Sequence, residues 1–443
     1  MIDPTTVRDQ LLERVGDRAE AQVVVTVGPS ELTRFANSFI HQNVGEIKSR
    51  VALTVASDGR TAELVGSSTT DEGLARLVEQ SLDVVRISPV DPDWPGLAPP
   101  APCSEVPRTE EPSPTPQQRA DAVKTFLAAA PDLNGAGYCE TETLASAFGN
   151  SLGQSADGVA SRTVFDGILR TDTSSGSAHH CSSSFGSLDP AGLGRVAAER
   201  ARQGIHPVTI DTGVYEVVLG HDAMAEVVLE LGIFGFGGPR VVDKESFVQS
   251  GVQQFDSAIT LVDDALAPGG LNYGFDVEGT PKERLVLIDA GVSGVACHSR
   301  RTGRRMGQPS NGHAPVGELG EWYGGGPMDL MLAGGTKTVD ELISEVERGI
   351  YVATFNYCRC LEPLTVEVTG LTRNGTFLIE KGEIVQALTN MRFTQSFVEA
   401  LAPGNVLGLS NDPRFGNADA GPGYVRAPAA RLAGFNFTGN AEG

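Results

Sequence analysis

The residues best suited to chemistry lie in one short run, His221-Asp222-Ala223-Met224-Ala225-Glu226. Imidazole and carboxylate are zinc ligands. A hydrolytic zinc site needs two or three of them, an open coordination position and a carboxylate that takes a proton from the bound water. In the common His-Glu-x-x-His arrangement the two ligands stand four apart, about 40° around an ideal helix. His221 and Glu226 stand five apart, about 140° around it. They meet on one metal only if the turn between them is widened, as in a π-bulge. Asp222, where the base would stand, is one methylene shorter than glutamate. The alternative is a helix start without metal, where Asp222 favours the positive end of the helix dipole.

A second cluster, His298, Arg300, Arg301, Arg304 and Arg305, precedes the run Gly307 to His313. Guanidinium groups grip carboxylates bidentately, so Arg300, Arg301, Arg304 and Arg305, with His313, are candidates to hold a peptide carboxylate. A solvated loop or an ion-pair patch is the structural alternative. Gly324-Gly325-Gly326 and Gly235-Phe236-Gly237-Gly238 either let a peptide backbone lie against a sheet edge or are simply turns. Other patterns lead nowhere. Gly149-Asn150-Ser151-Leu152-Gly153 fits a nucleophile elbow, but no helical pattern follows it. There is no Gly-x-x-x-x-Gly-Lys-Ser/Thr phosphate loop. His179-His180-Cys181 lacks a second ligand pair at zinc-site spacing.

The elements that must position these groups are predicted as α+β. An N-terminal α/β-type domain, residues 1–88, carries strands at Ala21–Val27, Leu32–Ala36 and Phe39–Val44, and a hairpin turning at Asp58-Gly59. Thr69 and Glu72 read as a capping box for a helix through Leu74, Leu77, Val78, Leu82 and Val85 on a mixed sheet. Residues 89–115 form a linker. Ten of the 26 prolines fall between Pro89 and Pro116, which forbids helix there, and Trp94 and Leu97 should pin it to a surface.

A central segment, 116–206, opens with a helix from Thr115-Pro116 to Ala130. It continues as antiparallel strands from Gly135 to Ser187 and ends in a helix from Asp189 to Gly204. The C-terminal domain, 207–405, is β-rich and mostly antiparallel. A buried strand, Val214–Leu219, leads into the helix Asp222–Leu231 that bears the His221 run. Strands follow at Ile259–Val262, Arg284–Asp289, Tyr351–Cys360, Leu364–Thr369, Thr376–Ile379 and Glu383–Leu388, with one helix capped by Thr338 and Glu341 and closed by Gly349. Residues 406–443 read as a loose glycine- and alanine-rich extension with no role.

Composition narrows the partners. The 443 residues carry a net charge of −22, which repels nucleic acid and anionic membrane surfaces. No run has the roughly 18–20 apolar residues of a membrane span. The first residues, Met1 to Arg8, do not read as a signal peptide. Six cysteines are too sparse for a disulfide framework, so reduced thiols in a cytoplasm are expected.

The whole pattern resembles the TldD/PmbA (TldD/TldE) metallopeptidase family. The His221 run lies where the TldD branch has His-Glu-x-x-x-His, and Leu32-Thr33-Arg34-Phe35-Ala36-Asn37 with Ile40-His41-Gln42-Asn43 is similar to the family's N-terminal signature. The helix Leu74–Val85 with Asp91-Pro92-Asp93-Trp94-Pro95-Gly96-Leu97 is similar to its helix and linker. Asp263-Asp264 through Gly270, Pro309 to His313, Thr338 to Val352 and Gly370 to Glu380 resemble the PmbA-like branch in particular.

The resemblance implies a zinc peptidase in which two motif histidines and a cysteine bind the metal and a glutamate is the base. Here only His221 is kept by type; Asp222 replaces the base and Glu226 the second histidine. Cys358 and Cys360 are the candidate cysteines, and as residues i and i+2 of a strand they face one way. The resemblance therefore implies the non-catalytic, TldE-like branch. Such a chain carries no cofactor of its own, and it pairs with a zinc-bearing TldD-like subunit, or with itself, to act on small or unfolded peptides. The alternatives are a metallopeptidase using His221 and Glu226, with Cys358 or Cys360, as ligands and Asp222 as base, or a peptide-binding scaffold without hydrolysis.

Overall fold

A computed structural model describes residues 2–107, 111–314 and 324–440. The α+β expectation holds. The first sheet contains β1 (Glu20–Ala36), β2 (Phe39–Ser57), β3 (Arg60–Gly66), β4 (Asn134–Asn150), β5 (Ser155–Arg170) and β6 (Ser175–Ser182), in the order β3-β2-β1-β4-β5-β6. Every pairing in it is antiparallel. The segment after the linker thus extends the same sheet as residues 1–88.

β1 is one strand where two were expected. Pro29 has no N–H to give, yet the chain does not turn there. The ladder to β4 lapses instead, passing from Val27–Ala145 to Ser30–Glu142. At the lapse a Cβ on Gly28 would sit 2.0 Å from the Thr143 carbonyl oxygen, so only glycine lets the strands stay this close. The β2–β3 hairpin turns at Asp58 and Gly59, both at positive φ, as their residue types predict.

α1 (Pro4–Val15) and α2 (Asp71–Ile87) pack Val7, Leu11, Val15, Leu74, Val78 and Leu82 onto Val23, Val25, Leu53 and Val55 of this sheet. The α2 cap is Thr70, not Thr69, because the Thr70 hydroxyl takes the Gly73 N–H. α3 (Pro116–Ala128) has the expected start, with Thr115 and Gln118 in a capping box. Together with α4 (Pro190–Gln203) it encloses a second core around Phe35, Phe126 and Phe165.

The second half contains β7 (Gly213–Leu219), β8 (Leu261–Asp263), β9 (Leu285–Asp289), β10 (Val292–Ser293), β11 (Leu330–Leu332), β12 (Arg348–Glu362) and β13 (Glu367–Glu380). It continues with β14 (Glu383–Ala387), β15 (Met391–Ser396), β16 (Val406–Leu409), β17 (Arg414–Ala418), β18 (Gly421–Ala427) and β19 (Ala430–Asn440). β12, β7, β19, β15 and β13 pair in succession, and β13 returns to β12, so the sheet closes on itself. Phe355, Phe393, Phe397 and Phe435 fill the closed ring, with Phe355 and Phe393 only 4.4 Å apart between ring centroids. A third sheet runs β10-β9-β8-β11-β18-β17. The pairings are mostly antiparallel; β7–β12 and β11–β18 are parallel.

Between ring and sheet runs α5 (His221–Leu231), apolar and buried on nearly every side, as a helix enclosed by two layers must be. Three expectations change here. Leu364–Val366 turn between β12 and β13, while Glu367–Thr369 and Thr376–Ile379 belong to the single strand β13, bent where Asn374 and Gly375 take positive φ. Gly349 does not close the helix capped by Thr338, which spans Val339–Ser344; it lies in β12. The tail is not a loose extension either, since residues after 406 supply β16 to β19, two of them in sheet interiors.

Candidate functional site

α5 opens on His221 and carries three carboxylates at positions 222, 226 and 230; its other residues are small or apolar. The i, i+4 spacing stacks Glu226 and Glu230 on one side, within reach of each other's charge. β12 passes over that side. Its backbone bulges between Asn356 and Arg359, with Tyr357 at φ 59°, and delivers Cys358, 3% exposed, against Glu226. A turn between β17 and β18 brings Asp419 to the same place.

One donor atom each from Glu226, Cys358 and Asp419 lies within 4.8 Å of the others. Glu226 Oε2 accepts the Asp419 N–H at 2.7 Å, and Asp419 Oδ2 accepts the Cys358 N–H at 2.6 Å. Burial pushes the Glu226 carboxyl up to about 7 and that of Glu230 to about 8, and the neighbouring carboxylates add to it. Burial also raises the Cys358 thiol. Cys360 lies on the same side of β12, within electrostatic reach of Glu230, as the i, i+2 spacing predicted.

His221 is not part of this cluster. The widened turn falls after α5, at Gly232–Phe236, and not between His221 and Glu226. His221 is buried, its Nε2 3.1 Å from Asp412 Oδ1, while Arg414 donates to its Nδ1 at 3.0 Å. Burial, and then the Arg414 charge, lower its pKa. Asp222 is committed too, its Oδ1 accepting the Asn417 N–H at 2.9 Å. Asn417 also donates to Asp166, whose carboxyl burial raises to about 6. Two of the three motif positions therefore face β17, and only Glu226 faces a cysteine. A hydrolytic zinc centre with His221 as ligand and Asp222 as base does not fit this arrangement.

The arginine cluster is also corrected. Arg300 donates to the carbonyls of Pro95 and Leu97, and Arg304 to that of Trp94. Arg301 grips Asp91 with both nitrogens, and Arg305 pairs with Asp243 at 3.1 Å. Arg300, Arg301 and Arg304 thus fasten the Pro-rich linker to the C-terminal half, Arg305 is held within that half, and none is left facing a substrate. The linker is pinned as expected, with Leu97 and Ala98 buried; its residues 108–110 lie outside the described residues. His313 is buried, with Nε2 2.8 Å from Asp263 Oδ1, so it too is structural.

The remaining leads stay closed. Ser151 lies between two strands and accepts the Ala21 N–H. His179 is sealed without a hydrogen-bond partner, and burial pushes its pKa down to about 4. Sequence reasoning missed Asp419 and Glu230. The signal for Glu230 was present, a second glutamate four residues after the first in an apolar helix.

The model of the PmbA/TldA metallopeptidase C-terminal domain matches residues 212–439, just over half of the chain. A protein named metalloprotease from Methanothermobacter thermautotrophicus is 24% identical over 213 residues, 46% of this chain and 42% of that protein. The chain thus spans under half the length of that curated relative. In overall fold it is similar to TldE from Thermococcus kodakarensis, with a TM-score of 0.84 at 18% identity over 98% of this chain and 99% of that one. It is likewise similar to a Thermotoga maritima protein described as a proposed modulator of a DNA gyrase, with a TM-score of 0.81 at 20% identity over 98% of this chain and 100% of that one. At these identities the structural likenesses establish the fold, and the domain match establishes the lineage: the chain belongs to the PmbA/TldD metallopeptidase family.

Proposed function

We propose that this chain is the TldE-like, non-hydrolytic subunit of a TldD/TldE-type zinc metallopeptidase acting on small or unfolded peptides. The observation that carries the reading is the commitment of His221 to Asp412 and Arg414 and of Asp222 to the Asn417 backbone. A ligand and a base held in this way are not free to bind metal and activate water. The partner is then a homologous subunit with an intact His-Glu-x-x-x-His motif, which supplies the zinc. Six unpaired cysteines suit work in the reducing cytoplasm, and among the described residues no helix is long and apolar enough to cross a membrane. Homodimerisation is the competing assembly.

Co-expression with a tagged chain bearing the intact motif tests the pairing. A stoichiometric complex is expected on size exclusion, unchanged by His221→Ala. Two chains that elute separately at micromolar concentration would sink the reading.

A further inference from the structure

We propose that a groove beside the turn between β12 and β13 binds an extended peptide segment in which an apolar side chain adjoins Lys or Arg. The groove encloses about 580 Å³, within the usual range of ligand sites, and shares no residue with the Glu226 cluster. Its apolar lining comes from three segments far apart in sequence. Phe247 and Val248 stand in the loop after α5, Leu364 in the β12–β13 turn, and Val398 in the one-turn helix Phe397–Ala400 that follows β15. The groove is preformed. The buried Phe247 packs edge-on against Phe236 and Phe255, with ring centroids 6.0 and 5.8 Å away. Gln254 Nε2 donates to the Phe247 carbonyl at 2.9 Å, and Ser396 Oγ to that of Thr365 at 2.6 Å, so both sides are tied down. Leu364 is 52% exposed although it lines the groove, so an occupant would remove from water apolar surface that the fold leaves wet.

Charge selects the occupant. Among the described residues Glu367 and Glu399 line the groove and no lysine, arginine or histidine does. Neither carboxylate has a hydrogen bond or an ion pair with another described residue. An ammonium or guanidinium placed there gains charge-assisted hydrogen bonds without displacing an existing partner. An acidic segment would meet two carboxylates and no counter-charge, which specificity by repulsion requires. The choice of a peptide among cationic amphiphiles rests on the peptide-handling role proposed above.

The full-length chain is titrated calorimetrically with the blocked peptide acetyl-Leu-Leu-Lys-Arg-amide, and with acetyl-Leu-Leu-Glu-Glu-amide and acetyl-Gly-Gly-Lys-Arg-amide for comparison. Saturable binding of one basic, apolar peptide per chain is expected, at least about tenfold tighter than either comparison. Glu367→Gln combined with Glu399→Gln should weaken it at least about tenfold. Leu364→Ser, on an exposed turn that should fold normally, should weaken it as well. Glu13→Gln with Asp17→Asn removes the same charge from an exposed surface at the end of α1, and should leave binding unchanged. Absence of saturable binding by the folded parent would overturn the proposal. So would equal binding of the acidic peptide, full binding by the Glu367/Glu399 variant, or an equal loss in the Glu13/Asp17 variant. The lone chain suffices for every arm, so failure of the groove is read separately from failure of the subunit pairing, which the co-expression experiment reports.

Discussion

Lys282→Ala is expected to destabilise the C-terminal half by about 3–5 kcal/mol, the usual cost of removing one partner from a buried ion pair. Lys282 Nζ lies 2.7 Å from Asp329 Oδ2, with the two side chains 7% and 6% exposed. Asp329 does not stand alone. Its Oδ1 accepts from Asn272 and its N–H donates to Asp263, which in turn takes a hydrogen bond from His313. Deleting the ammonium leaves two buried carboxylates facing one imidazole, at the point where β8 meets β11. The first unfolding transition in urea should move to markedly lower denaturant. Lys282→Met combined with Asp329→Asn should recover much of the loss, because no unpaired carboxylate is then created at position 329. A single variant within about 0.5 kcal/mol of the parent would contradict the account.

Ending the chain after Ala429 is expected to prevent the C-terminal half from folding. The deletion removes β19, which pairs with β7 on one side and β15 on the other and closes the ring. Leu432, Phe435 and Phe437 leave with it, each at most 1% exposed. Burial of each such side chain contributes roughly 1.5–3 kcal/mol, and a domain's whole stability is about 5–15 kcal/mol. Two open strand edges would also be left to aggregate. The shortened chain should be recovered insoluble, or soluble without the cooperative melt of the parent. A native-like melt would show that β19 is dispensable.

What was legible in the sequence was local. Asp58-Gly59 announces a hairpin because both residues tolerate positive φ, and Thr115-Pro116 announces a helix start because threonine suits the cap and proline's fixed φ the first helical position. The helix of the His221 run could be read from its strand-to-helix transition, and the shared face of Cys358 and Cys360 from strand periodicity. What depended on distant chain was not legible. The arginines at 300–305 look like a substrate clamp until the linker is folded beneath them, because a guanidinium binds a backbone carbonyl as readily as a peptide carboxylate. The tail looked idle because its glycines and alanines carry little hydrophobic signal. Phe435 and Phe437, two apart, were its mark of a buried strand, and Asp419 reaches the Glu226 cluster only through that fold.

The most direct test of the central claim is peptide hydrolysis by the purified lone chain, supplied with zinc and unfolded peptide substrates. The expected result is no turnover above the blank for the parent and for His221→Ala alike, with hydrolysis appearing only when the chain bearing the intact His-Glu-x-x-x-His motif is added. Chelator-sensitive turnover by the lone chain, abolished by His221→Ala, would show that His221 and Asp222 leave the partners seen here to build a working centre, and would contradict the non-hydrolytic reading.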